Sequence, residues 1–133
     1  MPEVLFAIDP GPHTGLAVKM DDANYHTATI MSQTELWDMI NQFRPSKLAY
    51  EIFIGSGQRD VHINYTLELV GSLNGICHVL GIKSYRQQPQ ERRAFIQEAR
   101  TLLAGQEGSG HTVHEVDALA HLLRLEYRLR EGR

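Results

Sequence analysis

Cysteine is almost absent: Cys77 is the only one in 133 residues. No internal disulfide can form, and no CxxC pair or Cys/His cluster indicates structural zinc, so Cys77 reads as a small buried hydrophobe. Long apolar runs are also missing. No stretch approaches the roughly 18 apolar residues that suggest a membrane span, and the N-terminus lacks the basic-then-apolar pattern of a secretory signal. The expected setting is the cytoplasm, with no membrane partner. Repeats, linkers and low-complexity segments are absent as well. The chain, 42% hydrophobic, is therefore expected to form one domain, residues 1–133, around one core. Surplus positive charge is lacking too, and a net charge of -3 argues against bulk nucleic-acid binding. The distribution is uneven: residues 1–82 hold 4 Lys/Arg against 9 Asp/Glu, and residues 83–133 hold 9 against 7. Basic surface is expected late in the chain, although the cluster Arg124, Arg128, Arg130 and Arg133 reads first as an ordinary solvated helix face.

Residues 3–9, 15–20 and 25–31 read as three strands, separated by the turn-forming Pro10 to Gly15 segment and by Asp21-Asp22-Ala23-Asn24. Ser32 then precedes an apolar series at Leu36, Met39, Ile40 and Phe43, with Glu35 at capping-box spacing and Pro45 as the stop. A fourth strand is expected over 47–54, followed by a Gly55-Ser56-Gly57 loop. Apolar positions Ile63, Leu67, Val70, Leu73, Cys77 and Leu80 predict a long helix from about Asp60 to Leu80. Gly71 and Gly75 within it bare a strip of backbone to which another helix, of this chain or of a second copy, can come close. A short fifth strand over 82–86 follows, then a helix from Pro89 to Gly105, a polar loop at Gln106 to Gly110, and a last helix from about Thr112 to Leu129. This order predicts an α/β fold: a mixed five-stranded sheet with helices on both faces, as in RNase H-like architecture.

Three acids stand in rigid settings. Asp9 closes the apolar run Val4-Leu5-Phe6-Ala7-Ile8, Glu51 closes Lys47-Leu48-Ala49-Tyr50, and Asp117 opens the apolar face of the last helix. In such an architecture Asp9 and Glu51 project from neighbouring strands, and Asp117 comes in from the helix packed across the sheet. Carboxylates with substrate phosphate oxygens suit Mg2+, a hard cation that prefers oxygen and retains water. Two such ions about 4 Å apart can flank a scissile phosphodiester. His114 lies three residues before Asp117, on the same helical face, and is a candidate ligand or base. Glu115 points away and reads as solvated; His121, one turn beyond Asp117, reads as a packing residue or a support for the ligands. The Thr14 hydroxyl reads first as part of the turn, and second as a phosphate contact.

Asp9-Pro10-Gly11 with Thr14-Gly15, then Glu51-Ile52-Phe53, the long helix ending Val79-Leu80-Gly81, and His114-x-x-Asp117-Ala118-Leu119-Ala120 together resemble the RuvC-type Holliday-junction resolvases. These belong to the RNase H-like superfamily, and the compact chain is most similar to phage-encoded members. The resemblance runs through nearly the whole chain in matching order. It implies that Asp9, Glu51 and Asp117 bind two metal ions, Mg2+ or alternatively Mn2+. His114 occupies a place where many members carry a fourth carboxylate and some a histidine. It implies that Arg86, Arg92 and Arg93 contact DNA near the cut. It implies a homodimer, joined through the long helix, that nicks opposed strands of a four-way junction and leaves 5'-phosphate and 3'-hydroxyl ends. Two alternatives stay open: a nuclease of this fold acting on other branched DNA or RNA-DNA hybrid, and a noncatalytic branched-DNA binding protein.

Overall fold

The computed structural model describes residues 3–20, 24–52, 61–105 and 112–132. Five strands are formed by Leu5–Asp9 (β1), Thr14–Lys19 (β2), Tyr25–Ile30 (β3), Lys47–Glu51 (β4) and Lys83–Gln87 (β5). The helices are Gln33–Phe43 (α1), Val61–Leu80 (α2), Ile96–Ala104 (α3) and Val113–Arg130 (α4), with a 3-10 helix at Pro89–Phe95. The loops expected at Gly55-Ser56-Gly57 and Gln106 to Gly110, the fourth strand beyond Ile52, Phe53, and Asp21 to Ala23 lie outside the described residues. Among the described residues no helix is long and apolar enough to cross a membrane.

The sheet runs β3-β2-β1-β4-β5. The first three strands form an antiparallel meander, while β4 pairs parallel with both β1 and β5. β1 is therefore central and buried on both faces, which is why it reads as an unbroken apolar run. Alternation along it divides the core. Phe6 and Ile8 pack with Leu48 and Tyr50 beneath Leu36 and Ile40 of α1 and Leu69, Leu73 and Cys77 of α2. Leu5 and Ala7 pack with Ala17, Ala49 and Tyr85 beneath α3 and α4. Cys77 is buried as expected, and burial pushes its thiol up to about 11.

The helix ends follow local rules. The Ser32 hydroxyl accepts the Glu35 N–H at 3.1 Å, and α1 ends at Arg44, whose left-handed φ of 48° lets its N–H reach the Ile40 carbonyl before Pro45. α2 closes on Gly81 at φ 71°, where the Ile82 N–H bonds back to Cys77 and the Gly81 N–H to His78, a Schellman stop. Thr112 and Glu115 form a reciprocal capping box at the start of α4.

Two expectations need correction. The continuous helix expected from Pro89 to Gly105 is split, because Pro89–Phe95 winds as 3-10 and the α-helix begins only at Ile96. Tertiary contacts outweigh propensity here. Glu91 accepts the Gln88 N–H at 2.6 Å and pairs with Arg124 of α4 at 3.2 Å, Arg92 is drawn beneath α4, and Phe95 packs on Tyr127. Glu115, expected in solvent, is only 8% exposed and accepts the hydroxyls of Thr27 and Thr29 at 2.7 and 2.9 Å. Its side of α4 faces β3 rather than water.

α4 lies unusually low over β1 and β2. Side chains beneath it are small, Ala7, Ala17 and Ala49, and at Gly15 there is none. A Cβ built on Gly15 would stand 2.0 Å from the His114 carbonyl oxygen and 2.5 Å from its carbon, both backbone atoms. Gly15→Ala should therefore cost about 2–4 kcal/mol in denaturant unfolding. The sign is diagnostic, since alanine in a strand is otherwise the better residue; unchanged stability would show that α4 does not sit this close.

Candidate active site

Asp9 continues the Leu5, Ala7 face of β1, and Glu51 continues the Ala49 face of β4. The parallel register Ala7↔Ala49, Ile8↔Tyr50 leads into these two residues, so both carboxylates emerge side by side at one end of the α4 face. Gln87 is paired with Glu51 from β5 and reaches the same level. Across them α4 brings His114, Asp117 and His121, spaced three and four residues apart on one helical stripe.

The contacts tie these groups into one network. His114 Nδ1 lies 3.4 Å from Asp9 Oδ2, and its ring stacks on that of His13 in the β1–β2 turn at 5.9 Å between centroids. Asp9 shares a hydrogen bond with Glu51. Arg92, on the 3-10 helix, pairs through Nη1 with Glu51 and through Nε with Asp117 at 3.3 Å. His121 is fully buried, with Nε2 3.2 Å from Glu51 Oε1 and Nδ1 2.6 Å from Gln87 Oε1. Among the described residues the buried Gln87 Nε2 has no hydrogen-bond partner. A charged imidazole donating from both nitrogens satisfies the chain, as does a Gln87 amide rotated so that its nitrogen meets Nδ1. Either solution puts an N–H of His121 on Glu51.

Protonation is unequal across the acids. Burial, then the charges of Glu51 and Asp117, push Asp9 from the ordinary 3.8 up to about 8, against a smaller pull from Arg92. Burial also raises Asp117, with Glu51 adding and Arg92 opposing. Burial would raise Glu51 as well, but the hydrogen bond and charge of His121 together with Arg92 outweigh it and hold Glu51 low. The metal-free cluster therefore keeps a proton on Asp9 beside an ionised Glu51.

All four residues expected as ligands, Asp9, Glu51, His114 and Asp117, meet in this pocket. Among the described residues no three of the His, Cys, Asp and Glu side chains already stand around one point as an ion would need. The guanidinium of Arg92 lies between two of them. The donor set nevertheless fits a hard divalent cation: three carboxylates supply oxygen, and the charges of Glu51 and Asp117 add to burial in lifting Asp9. Of the residues expected at DNA, Arg92 is inside the acid cluster and Arg93 is exposed nearby. Arg86 lies on the other face of β5, with Nε 3.2 Å from the Tyr50 hydroxyl. Thr14 spends its hydroxyl on the Gly11 carbonyl at 2.7 Å, closing the turn. Gln87 was missed in the sequence; its place two residues after Tyr85, on the face that ends in acids on β1 and β4, was the available signal.

No protein-family model and no curated protein sequence matches the chain. Solved structures do. Thermus thermophilus RuvC in complex with Holliday junction substrate superposes with a TM-score of 0.76 at 20% identity, covering 98% of this chain and 96% of that one. The fold is that of the RuvC resolvases. A second Thermus thermophilus RuvC structure gives 0.73 at 20% identity over 97% and 96% of the two chains. Fowlpox virus resolvase, solved with substrate Holliday junction DNA, gives 0.62 at 8% identity over 92% of this chain and 99% of that one. The mixed five-stranded sheet with helices on both faces is thus as expected from the sequence.

The raised Asp9 sets a pH dependence. Between its unfolded value near 3.8 and its folded value of about 8 the native state keeps a proton that the unfolded chain has lost, so stability falls as pH rises through that window. In chelator, Asp9→Asn should flatten this slope and be more stable than the wild type at pH 8 by ~1 kcal/mol or more. Denaturant unfolding at pH 5 and pH 8 checks it, and parallel slopes would refute the assignment.

Proposed function

We propose that the protein is a divalent-metal-dependent endonuclease that resolves four-way DNA junctions as a homodimer. The observation that carries this reading is the convergence of Asp9, Glu51 and Asp117, with His114, at one end of a sheet whose fold is that of resolvases solved with junction DNA. Asp9, Glu51 and Asp117 would hold a pair of Mg2+ or Mn2+ ions, with His114 as a further ligand or as the base, and the ions would supply polarisation of the scissile phosphodiester and activation of the attacking water. The chain's own residues do the rest. His121 keeps Glu51 ionised and aimed, with Gln87 fixing the imidazole from behind. His114, half-exposed and held between Asp9 and the His13 ring, is placed to take a proton from water. Arg93 and, once free, Arg92 provide phosphate contacts beside the acids.

Support for the dimer comes from α2. Leu67, Gly71, Gly75 and Val79 recur at four-residue steps, and a Cβ on either glycine would meet nothing within 4 Å among the described residues. Val79 is 80% exposed, and beside it Trp37, Asn41, Ile76 and Leu80 line an apolar groove of about 270 Å³. Such a stripe on the longest helix suits a two-fold partner, whose symmetry would match the pseudo-two-fold junction. Gly75→Arg should convert the dimer to monomer in sedimentation velocity; a dimer that persists would place the interface elsewhere.

Incubation with a synthetic immobile junction, a matched linear duplex and an RNA-DNA hybrid, with and without Mg2+, tests the activity. Paired symmetric nicks confined to the junction with Mg2+ are expected, and preferential cutting of the hybrid would favour the rival nuclease reading. Glu51→Gln and Asp117→Asn should each lower nicking by roughly 100-fold or more while junction affinity stays within about threefold, because phosphate contacts survive loss of a ligand. Nicking at wild-type rate by both variants would remove these residues from the site.

A further inference from the structure

Arg92 is a cation in the place where the reading above puts metal ions. Its planar fork spans two elements, pairing with Glu51 from β4 and with Asp117 from α4, and its side chain is only 27% exposed. The pairing is supported from behind: Glu91, next in the chain, caps the 3-10 helix at Gln88 and is held to α4 by Arg124. His114 and His121 touch other members of the cluster, Asp9 and Glu51, so Arg92 alone bridges Glu51 to Asp117 among the described residues.

We propose that Arg92 is the resident cation of the metal-free site, holding Glu51 and Asp117 together until a divalent ion displaces it and frees its guanidinium for a DNA phosphate. This rests on the metal-binding reading above. The exclusion is physical. A divalent ion approaching Glu51 and Asp117 needs the carboxylate oxygens that Arg92 occupies, and the two positive charges repel at that range. Ion binding therefore carries the cost of breaking both pairs, and a backbone phosphate lowers that cost by giving the released fork a new acceptor. Metal and DNA then favour each other's binding, reciprocally, through one side chain.

Calorimetric titration of Mn2+ into the metal-free full chain, without DNA, tests this. Arg92→Met, which keeps much of the stem and removes the charge, should bind Mn2+ roughly ten-fold tighter than the wild type, with Arg92→Lys in between. Loss of a merely structural contact would weaken binding instead. Thermal unfolding gives a second readout: Arg92→Met should be less stable than the wild type in chelator and recover that deficit at saturating Mn2+. Equal or weaker Mn2+ affinity in both variants overturns the inference and leaves the metal site standing. No Mn2+ binding by any of the three proteins overturns the metal reading itself.

Discussion

The closeness of α4 to the sheet is the constraint from which the rest of this site follows. Two candidate ligands and a supporting histidine on one helix can meet two carboxylates on the strands only if the helix backbone descends to within their short reach. Gly15 permits that descent at the helix N-terminus, where any side chain would collide with the His114 carbonyl, and Ala7, Ala17 and Ala49 permit it further along. The opposite sheet face is filled differently. There Phe6, Ile8, Leu16 and Tyr50 hold α1 and α2 away with large side chains. The two faces thus divide their work, one built for packing volume and one for proximity.

Holding α4 down has an electrostatic consequence. Buried carboxylates brought side by side cannot all ionise cheaply, and the protein offsets this with neutralising groups drawn from every neighbouring element. His121, braced by Gln87, acts with Arg92 on Glu51; Arg92, His121 and His114 act on Asp117; and at Asp9 the opposing pull comes from Arg92. Even so Asp9 keeps its proton to about pH 8. The polar bonds at the helix start serve the same end mechanically, since Glu115 ties α4 to Thr27 and Thr29 of β3, and Glu126 ties its far end to Lys19 and Tyr25. Buried polar anchors at both ends fix the helix along its axis, a register that apolar packing alone leaves loose.

Much of this was legible in the sequence because the local signals agreed. Apolar runs ending in acids placed Asp9 and Glu51 at strand ends, and helical spacing placed His114, Asp117 and His121 on one stripe. Strand order followed from the succession of elements. What escaped was everything decided by contacts between distant segments. The 3-10 winding of Pro89–Phe95 depends on Glu91 and Arg92 reaching α4 and β4, partners that lie 33 and 41 residues away. Glu115 reads as solvated from a helical wheel, which knows the helix but not that β3 lies beneath its other side. Gly15 reads as a turn residue, whereas its missing side chain is needed by a backbone almost a hundred residues later. Arg92 reads as a phosphate contact, because the charge of an arginine does not reveal which anion it meets first.

That last ambiguity bears on the proposed function, which asks an acidic chain to hold DNA. The late half of the sequence is basic by count, yet several of those charges are already committed: Arg92 to the acid cluster, Arg124 to Glu91, and Arg128 to the Arg86 carbonyl and the Tyr85 ring. Lys83, Arg86, Arg93, Arg100 and Arg130 are exposed, the first two on β5 and Arg93 beside the acid cluster. Under the proposed function these five exposed cations, on a chain of net charge -3, would supply only modest attraction for duplex DNA as such. On the proposed reading, positive charge would enter the site together with the metal, where it would both neutralise the acids and release Arg92. On that reading such an enzyme would gain its grip on phosphate at the cluster that cuts, and a symmetric pair of such clusters would gain it twice on one branched substrate. Selectivity for structure over bulk DNA would then rest on a phosphate contact made only where metal and acids meet, as much as on the shape of the fold.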